Sequence, residues 1–361
     1  MKLLKSVILF TSCLFFLSAC YPTGEQLPST GDDNSISEQI GAIASGNEHL
    51  EIDALPSEYK TELPKINVKV MEWDSDKINE AFLSQKPGLE HNEYPCDFFS
   101  NENYHVYKEE DKYWLVYEPG RLDSEYRKSV YGYGTMQAAM ESYRFEDLFT
   151  EDSINSLEKD KAVNECIELL NKVGITNYSE PRIYAITADK ANEYWKWMDY
   201  DEYEEWTVDN EIYFVWFPIE YNGIPVTDYY SRNIAIGGQG GYFVGSHISF
   251  VVTKEKVFSM MSSNIFSPEY ELGENVKIKC SADNALKFAA EYYDGIVLGD
   301  QDIKINDCEL VYVPYEQHDE KNFTLVPMWK INISVYSDSS VLMGVRDVLF
   351  IDAQTGNIII W

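Results

Sequence analysis

The chain has 361 residues, with 29 Lys or Arg against 61 Asp or Glu, a formal charge of −32 at neutral pH. That balance excludes nucleic acid as a partner, because such binding needs basic side chains to neutralise phosphates, and it excludes adsorption to anionic lipid through a basic face. Apolar residues at 45% and aromatic residues at 14% exclude a disordered acidic chain, and they can fill the cores of about two or three compact units.

Lys2 and Lys5 precede an apolar run from Val7 to Leu17. The run is shorter than the about 20 residues a membrane-spanning helix needs, so it reads as an export signal. Ser18 and Ala19 stand directly before Cys20, and together they resemble the lipobox of bacterial lipoproteins. The resemblance implies that residues 1–19 are removed and that Cys20 receives a thioether-linked diacylglycerol. It places the chain on the outer face of the cell membrane, held by its lipid. The stretch Cys20-Tyr21-Pro22-Thr23-Gly24-Glu25 is similar to the Cys-x-Pro-Thr-x-Glu opening of a family of uncharacterised lipoproteins from clostridia-like Gram-positive bacteria. That likeness implies a location and no activity.

Residues 20–49 are Pro, Gly, Ser, Thr, Asn and acids without an apolar period, and are expected to form a flexible tether. Residues 50–150 read as an N-terminal α+β domain. It has a strand over Lys65–Trp73, a short helix over Asp76–Leu83, a hairpin of Tyr104–Tyr107 with Tyr113–Tyr117, and helical spacing around Thr135–Tyr143.

A first unit spans 151–265. Its helix, Glu158–Val173, puts Ala162, Val163, Cys166, Ile167, Leu169, Leu170 and Val173 on one face, and Gly174 stops it. A strand at Arg182–Ile186 follows. Asn222-Gly223 supplies the positive φ angles of a tight type I′ turn between Ile212–Tyr221 and Ile224 onward, and a second hairpin turns at Lys254-Glu255-Lys256. A second unit, 266–361, repeats the order. Ser281 caps a helix to Tyr293, with Ala282, Ala285, Leu286, Ala289 and Tyr293 inward, and a strand at Cys308–Val313 follows. Phe214–Pro218 pairs with Cys308–Pro314, Ile224-Pro225-Val226 with Val326-Pro327-Met328, and the Lys254 turn with the Gln354-Thr355-Gly356 turn, which suggests an internal duplication. The expected fold is α+β, antiparallel sheets with one packed helix per unit.

The residues Tyr221–Val226, Pro327–Ile331 and Ile351–Ile358 resemble PepSY-type modules and the related extracytoplasmic YycH and YycI regulators of WalK-type sensor kinases. The resemblance implies a non-enzymatic binding or regulatory module acting on another envelope protein. It departs from those regulators in its anchor, a lipidated cysteine where they carry a transmembrane helix.

Chemistry-bearing motifs are sparse. The five histidines, 49, 91, 105, 247 and 318, have no partner at helical metal-ligand spacing, so neither metal nor cofactor is expected. Gly237–Gly241 leads into a β-like run and not into the helix of a nucleotide-binding turn. Asp74-x-Asp76 and Asp199-x-Asp201 lack the glycine and glutamate of a calcium loop. Cys280 and Cys308 are either a disulfide or two buried thiols. Between Tyr194 and Trp206, Thr187 can cap a helix with Ala191, Tyr194, Trp195 and Met198 on one face, leaving Trp197, Tyr200, Tyr203 and Trp206 beside acids. Those four rings are either wedges against the sheet or a binding surface for a partner, a glycan or a cationic peptide.

Overall fold

The computed structural model describes residues 33–54, 59–84, 86, 88–96, 99–109, 112–126, 132–139, 144–199, 203–231, 243–295, 301–336 and 343–359. Cys20, Tyr200, Asp201 and the Gly237–Gly241 run lie outside them. Helix α1 (Asp33–Gly46) comes first, followed by β1 (Leu50–Ile52), β2 (Glu62–Val70) and the short α2 (Ser75–Ile78), which continues as a wide turn to Leu83. Strands β3 (Glu90–Pro95), β4 (Asn103–Glu109), β5 (Tyr113–Glu118) and β6 (Arg121–Tyr126) lead to α3 (Tyr133–Ala139). Then come α4 (Lys159–Val173), β7 (Arg182–Ile186), α5 (Ala188–Trp197) and β8 (Ile212–Pro218). Two small pairs follow, β9 (Glu220–Tyr221) with β10 (Ile224–Pro225) and β11 (Tyr230–Ser231) with β12 (Phe243–Val244). The chain continues through β13 (His247–Thr253), β14 (Val257–Ser263) and β15 (Phe266–Lys277) to α6 (Ala282–Asp294). It closes with β16 (Asp302–Gln317), β17 (Asn322–Tyr336), β18 (Val345–Asp352) and β19 (Ile358–Ile359).

The fold is α+β, with two large sheets that are antiparallel apart from β1, which runs parallel to β16. The first sheet has the order β3-β4-β5-β6-β14-β13-β8-β7. In the second, β16, β17, β18 and β19 form a meander. One edge of β17 is shared, by β2 at Asn322–Leu325 and by β18 at Met328–Val335, and β15 completes the sheet beyond β2. Among the described residues no helix is long and apolar enough to cross a membrane.

Burial follows from strand alternation. Every residue of β8 is buried because the strand is covered on both sides. Tyr213, Val215 and Phe217 share a core with Cys166 and Leu170 of α4, while Ile212, Phe214 and Trp216 share another with Ala191, Tyr194 and Trp195 of α5. Gly174 ends α4 in the left-handed region at φ 87°. Ser281 caps α6 by accepting the Asn284 N–H, and the five inward residues expected for that helix are all buried. Asn222 and Gly223 take φ 52° and 77°, as the type I′ turn demands. The ladder they close is only two residues long, because β8 ends at Pro218.

Each of α4 and α6 precedes a four-stranded antiparallel meander, β7-β8-β13-β14 in one case and β16-β17-β18-β19 in the other. By position in the meander the counterpart of β8 is β17, not the Cys308–Val313 strand that the sequence pairing selects. The Lys254 turn and the Gln354 turn do occupy matching places, between the third and fourth strands.

Two boundaries differ from expectation. The tether over 20–49 is helical from Asp33 to Gly46: Ile36, Ile40 and Ile43 recur at four- and three-residue spacing, and the helix packs on α6. Three isoleucines in a polar stretch are a thin stripe, enough for docking and easily read as none. The strands of 50–150 close no sheet of their own, since β1 and β2 join the second sheet while β3–β6 extend the first. The expected Met198 position in the α5 stripe also fails, because Met198 caps the helix end and is exposed.

Candidate functional site: a charged cleft at the seam of the sheets

The segment after β10 carries the chain from the first sheet to the second. Val226 bridges to Tyr312 of β16, and the Thr227 N–H donates to the Tyr312 carbonyl at 2.8 Å. Gly245 allows this passage, because a Cβ there would lie 2.3 Å from the Asp228 carbonyl carbon. Asp228 is thereby delivered to the polar face of the second sheet.

That face is written in β17. Trp329, Ile331 and Ile333 turn toward α6, while Lys330 and Asn332 alternate to the other side. Register sets Glu309 opposite Lys330 and, two residues away on the same face, Asp307 opposite Asn332. From the first sheet, Arg182 of β7 faces Trp216 of β8 as a direct cross-strand pair. Together with Arg144, Glu146, Arg346 and Asp347 these residues line a cleft of about 370 Å³.

Lys330 is 3% exposed and donates to Asp228 at 2.5 Å and to Glu309 at 3.0 Å. Arg182 Nη1 reaches the other Asp228 oxygen at 3.3 Å. Burial opposes the charge on Asp228, but Lys330 and then Arg182 outweigh it and hold the carboxyl well below its ordinary range. Arg346 grips both Glu146 oxygens, at 2.8 and 3.1 Å, and keeps that carboxyl low against its burial. Asp307 and Asp347 move the opposite way, burial raising both. Asp347 accepts from Tyr293 Oη at 3.1 Å and from the Val348 N–H at 2.8 Å. The Trp216 indole lies at the cleft, 95% buried and stacked on His247 at 4.7 Å, and its Nε1 has no hydrogen-bond partner. A cleft of this kind presents a partly exposed guanidinium, that of Arg182, to an acceptor group.

The residues singled out in the sequence fall elsewhere. Trp206 is buried edge-on against Tyr133, and Trp197 and Tyr203 pack partly buried on the same cluster. Asp74 caps α2, accepting the Asp76 and Lys77 N–H groups, which accounts for the Asp-x-Asp spacing there. Cys280 and Cys308 are buried under α6 as two thiols, the second of the two alternatives. The cleft residues escaped notice because they come from several strands far apart in the chain; the polar alternations Asp307-x-Glu309 and Lys330-x-Asn332 were the signals within single segments.

No protein-family model and no curated protein matches the chain. Among solved structures, an uncharacterized protein from Eubacterium rectale ATCC 33656 is similar over 91% of this chain and 99% of its own, with a TM-score of 0.65 and 12% identity. The C-terminal domain of YpeB from Bacillus megaterium aligns over 79% of this chain and 92% of its own, at a TM-score of 0.31 and 10% identity. The first likeness is one of fold alone, and the second is too loose to carry an argument. Fold and cleft together define the class: a two-sheet α+β protein with a charged cleft at the seam.

Proposed function

We propose that this is a lipid-anchored extracytoplasmic binding module with PepSY-like units, which acts on another protein of a Gram-positive envelope without catalysis. The seam cleft carries the reading. In a chain with 29 basic and 61 acidic residues, it gathers Arg144, Arg182, Lys330 and Arg346 in one place. Its carboxylates are engaged by Lys330, Arg182, Arg346, Asn332 and Tyr293, so they serve as scaffold for those donors. Arg182, whose side chain is 43% exposed, suits a carboxylate-bearing segment of a partner. The Trp197–Trp206 aromatics offer this function little, since the described rings are spent on packing.

A photocrosslinking side chain at Asn306, on the cleft wall, tests the proposal in intact cells, with Lys172 on α4 as the control position. A discrete protein adduct is expected from Asn306 alone, abolished by Arg182→Glu. Equal adducts from both positions, or an adduct indifferent to Arg182→Glu, would overturn it. The anchor is tested separately: Cys20→Ala should lose metabolic labelling by an alkyne fatty acid.

A second reading, a small solute held in the cleft, rests on its volume of about 370 Å³, at the low end of ligand pockets. A saturable thermal shift with a small carboxylate, lost in Arg182→Gln, would favour it over a protein partner.

A further inference from the structure

The β3–β4 hairpin brings together three side chains that no linear spacing connects. His91 and Glu93 are two residues apart on β3, and therefore project from the same face. Register sets Glu93 opposite His105 on β4, which puts the second imidazole on that face too. His91 Nε2 lies 3.3 Å from His105 Nδ1 and 3.7 Å from Glu93 Oε1, while His105 Nδ1 lies 3.5 Å from the same carboxylate oxygen.

Two of those edges, 3.3 and 3.5 Å, have the length of a tetrahedral metal centre's face, and the third, 3.7 Å to Glu93, is slightly longer and within reach of a carboxylate rotation. Bonds of about 2.0–2.1 Å to nitrogen and about 2.0–2.2 Å to oxygen place ligand atoms roughly 3.3–3.5 Å apart. An ion bound there would replace the direct His91–His105 hydrogen bond, turning both ring nitrogens toward itself while the strands keep their register. Both rings are already held: His91 stacks on Tyr107 at 4.1 Å between centroids and 6° between planes, and His105 stacks on Tyr117 at 4.6 Å and 16°. Tyr117 belongs to the buried core, so the ordering that binding requires is largely in place before the ion arrives.

We propose that His91, Glu93 and His105 form a binding site for one divalent transition metal of the zinc class, pinning the edge strand β3 to β4. Two imidazoles and one carboxylate suit zinc and its neighbours, and suit neither calcium nor magnesium, which take oxygen ligands. Strand β3 is exposed along almost all its length and, among the described residues, has one paired edge, so a cross-strand clamp has something to stabilise. The three groups are partly open to solvent, which gives an entry path, and three protein ligands leave a fourth position for water. The strongly acidic chain raises the local concentration of cations. The inference stands apart from the seam cleft and does not depend on what binds there.

The test is Zn²⁺ titration of the full-length protein, purified in detergent and stripped with chelator, against a competing chromogenic chelator. One equivalent should resist competition, and Zn²⁺ should raise the melting temperature. His91→Ala and His105→Ala should each weaken that equivalent beyond the about 10–100-fold that loss of an outer-shell partner costs. Excess Mg²⁺ or Ca²⁺ should not displace it. Co²⁺ should give the intense visible bands of a four-coordinate ion in the wild type and lose them in both variants. Glu93→Gln, a milder change, guards against a folding failure: it should keep the chelator-treated melting temperature and still weaken binding. Zinc uptake unchanged in the histidine variants, no equivalent held against the competitor, or a weak six-coordinate Co²⁺ spectrum indifferent to the substitutions would each overturn the proposal.

Discussion

Lys330 on β17 and Asp228 in the segment after β10 meet at 2.5 Å, one from each helix–meander unit, with the lysine all but removed from water. Desolvating two ions costs several kcal/mol apiece, so such a pair does more to fix which surfaces meet than to add stability. Removing one partner strands the other. Lys330→Ala is expected to lower unfolding free energy by about 3–5 kcal/mol, read from urea denaturation. Lys330→Met with Asp228→Leu should recover part of that loss, because Arg182 and Glu309 remain to face one another at 4.0 Å. If the double variant falls by the sum of two singles, the pair is not coupled.

The carboxylates of the cleft pull stability in opposite directions with pH. Asp228 is depressed in the fold, so its contribution is complete above the ordinary value of 3.8 and is lost as pH falls through the lower folded value. Asp347 is raised, chiefly by burial, so its contribution is complete below 3.8 and is lost as pH rises through the folded value. Asp347→Asn should therefore compare more favourably with the wild type at pH 7 than at pH 4, measured as the difference in melting temperature. A constant difference would mean that Asp347 titrates alike in both states.

The thiols should separate by burial. Burial, and then Asp352, push the Cys280 thiol up to about 12, and burial raises Cys308 and Cys166 as well. Cys96 is partly open and donates to Glu118 at 2.8 Å. Alkylation of the native protein followed by peptide mapping is expected to label Cys96 among these four. The other three should be labelled only after denaturation. Rapid native labelling of Cys280 would contradict its placement under α6.

What could be read from the chain was what lies within one segment. The α6 stripe, the Asn222-Gly223 turn and the hairpin at Lys254 are local patterns, and each stands where its spacing puts it; of the α4 stripe, Ala162, Cys166, Leu170 and Val173 are buried, while Val163, Ile167 and Leu169 are partly covered. The α1 stripe was missed because three isoleucines amid polar residues make a weak period. Both candidate sites were beyond reach for a different reason: His91 and His105 are brought together by register across β3 and β4, and Lys330 meets Asp228 across two sheets. A search at helical spacing does not find cross-strand ligands, and no spacing rule reaches 102 residues along the chain.

Trp206 offers a direct comparison of wedge and binding surface. It is 3% exposed, sits edge-on to Tyr133, and its backbone exchanges two hydrogen bonds with the Asn192 side chain at 2.8 and 3.0 Å. Trp206→Ala should cost about 3–5 kcal/mol, the usual loss for a buried large aromatic. Trp197→Ala and Tyr203→Ala should cost less, since both rings are only partly covered. Denaturation of the three variants checks the order, and a near-neutral Trp206→Ala would show that the ring is not a wedge.

The sheets are also tied at a second place, through backbone alone. The Met71 N–H donates to the Ile265 carbonyl, the Ile265 N–H to the Gly120 carbonyl and the Gly120 N–H to the Met71 carbonyl, each at 2.8 Å. This closed triangle joins the end of β2, the β5–β6 turn and the point where the chain leaves β14 for β15, just after Asn264 at φ 45°. Gly120 holds φ 72° there, and a Cβ would lie 2.8 Å from Val70 Cγ1, a buried side chain with little room to retreat. Gly120→Ala meets two penalties: about 1–2 kcal/mol for a left-handed backbone and about 1–3 kcal/mol for overpacking. Together they predict a loss of about 2–5 kcal/mol, read from urea denaturation, with faster amide exchange at Met71 and Ile265. Gly88→Ala is the control, because Gly88 has φ 91° but nothing within 4 Å of an added Cβ. It should show the backbone penalty alone, and equal losses at the two glycines would mean that the contact with Val70 yields freely.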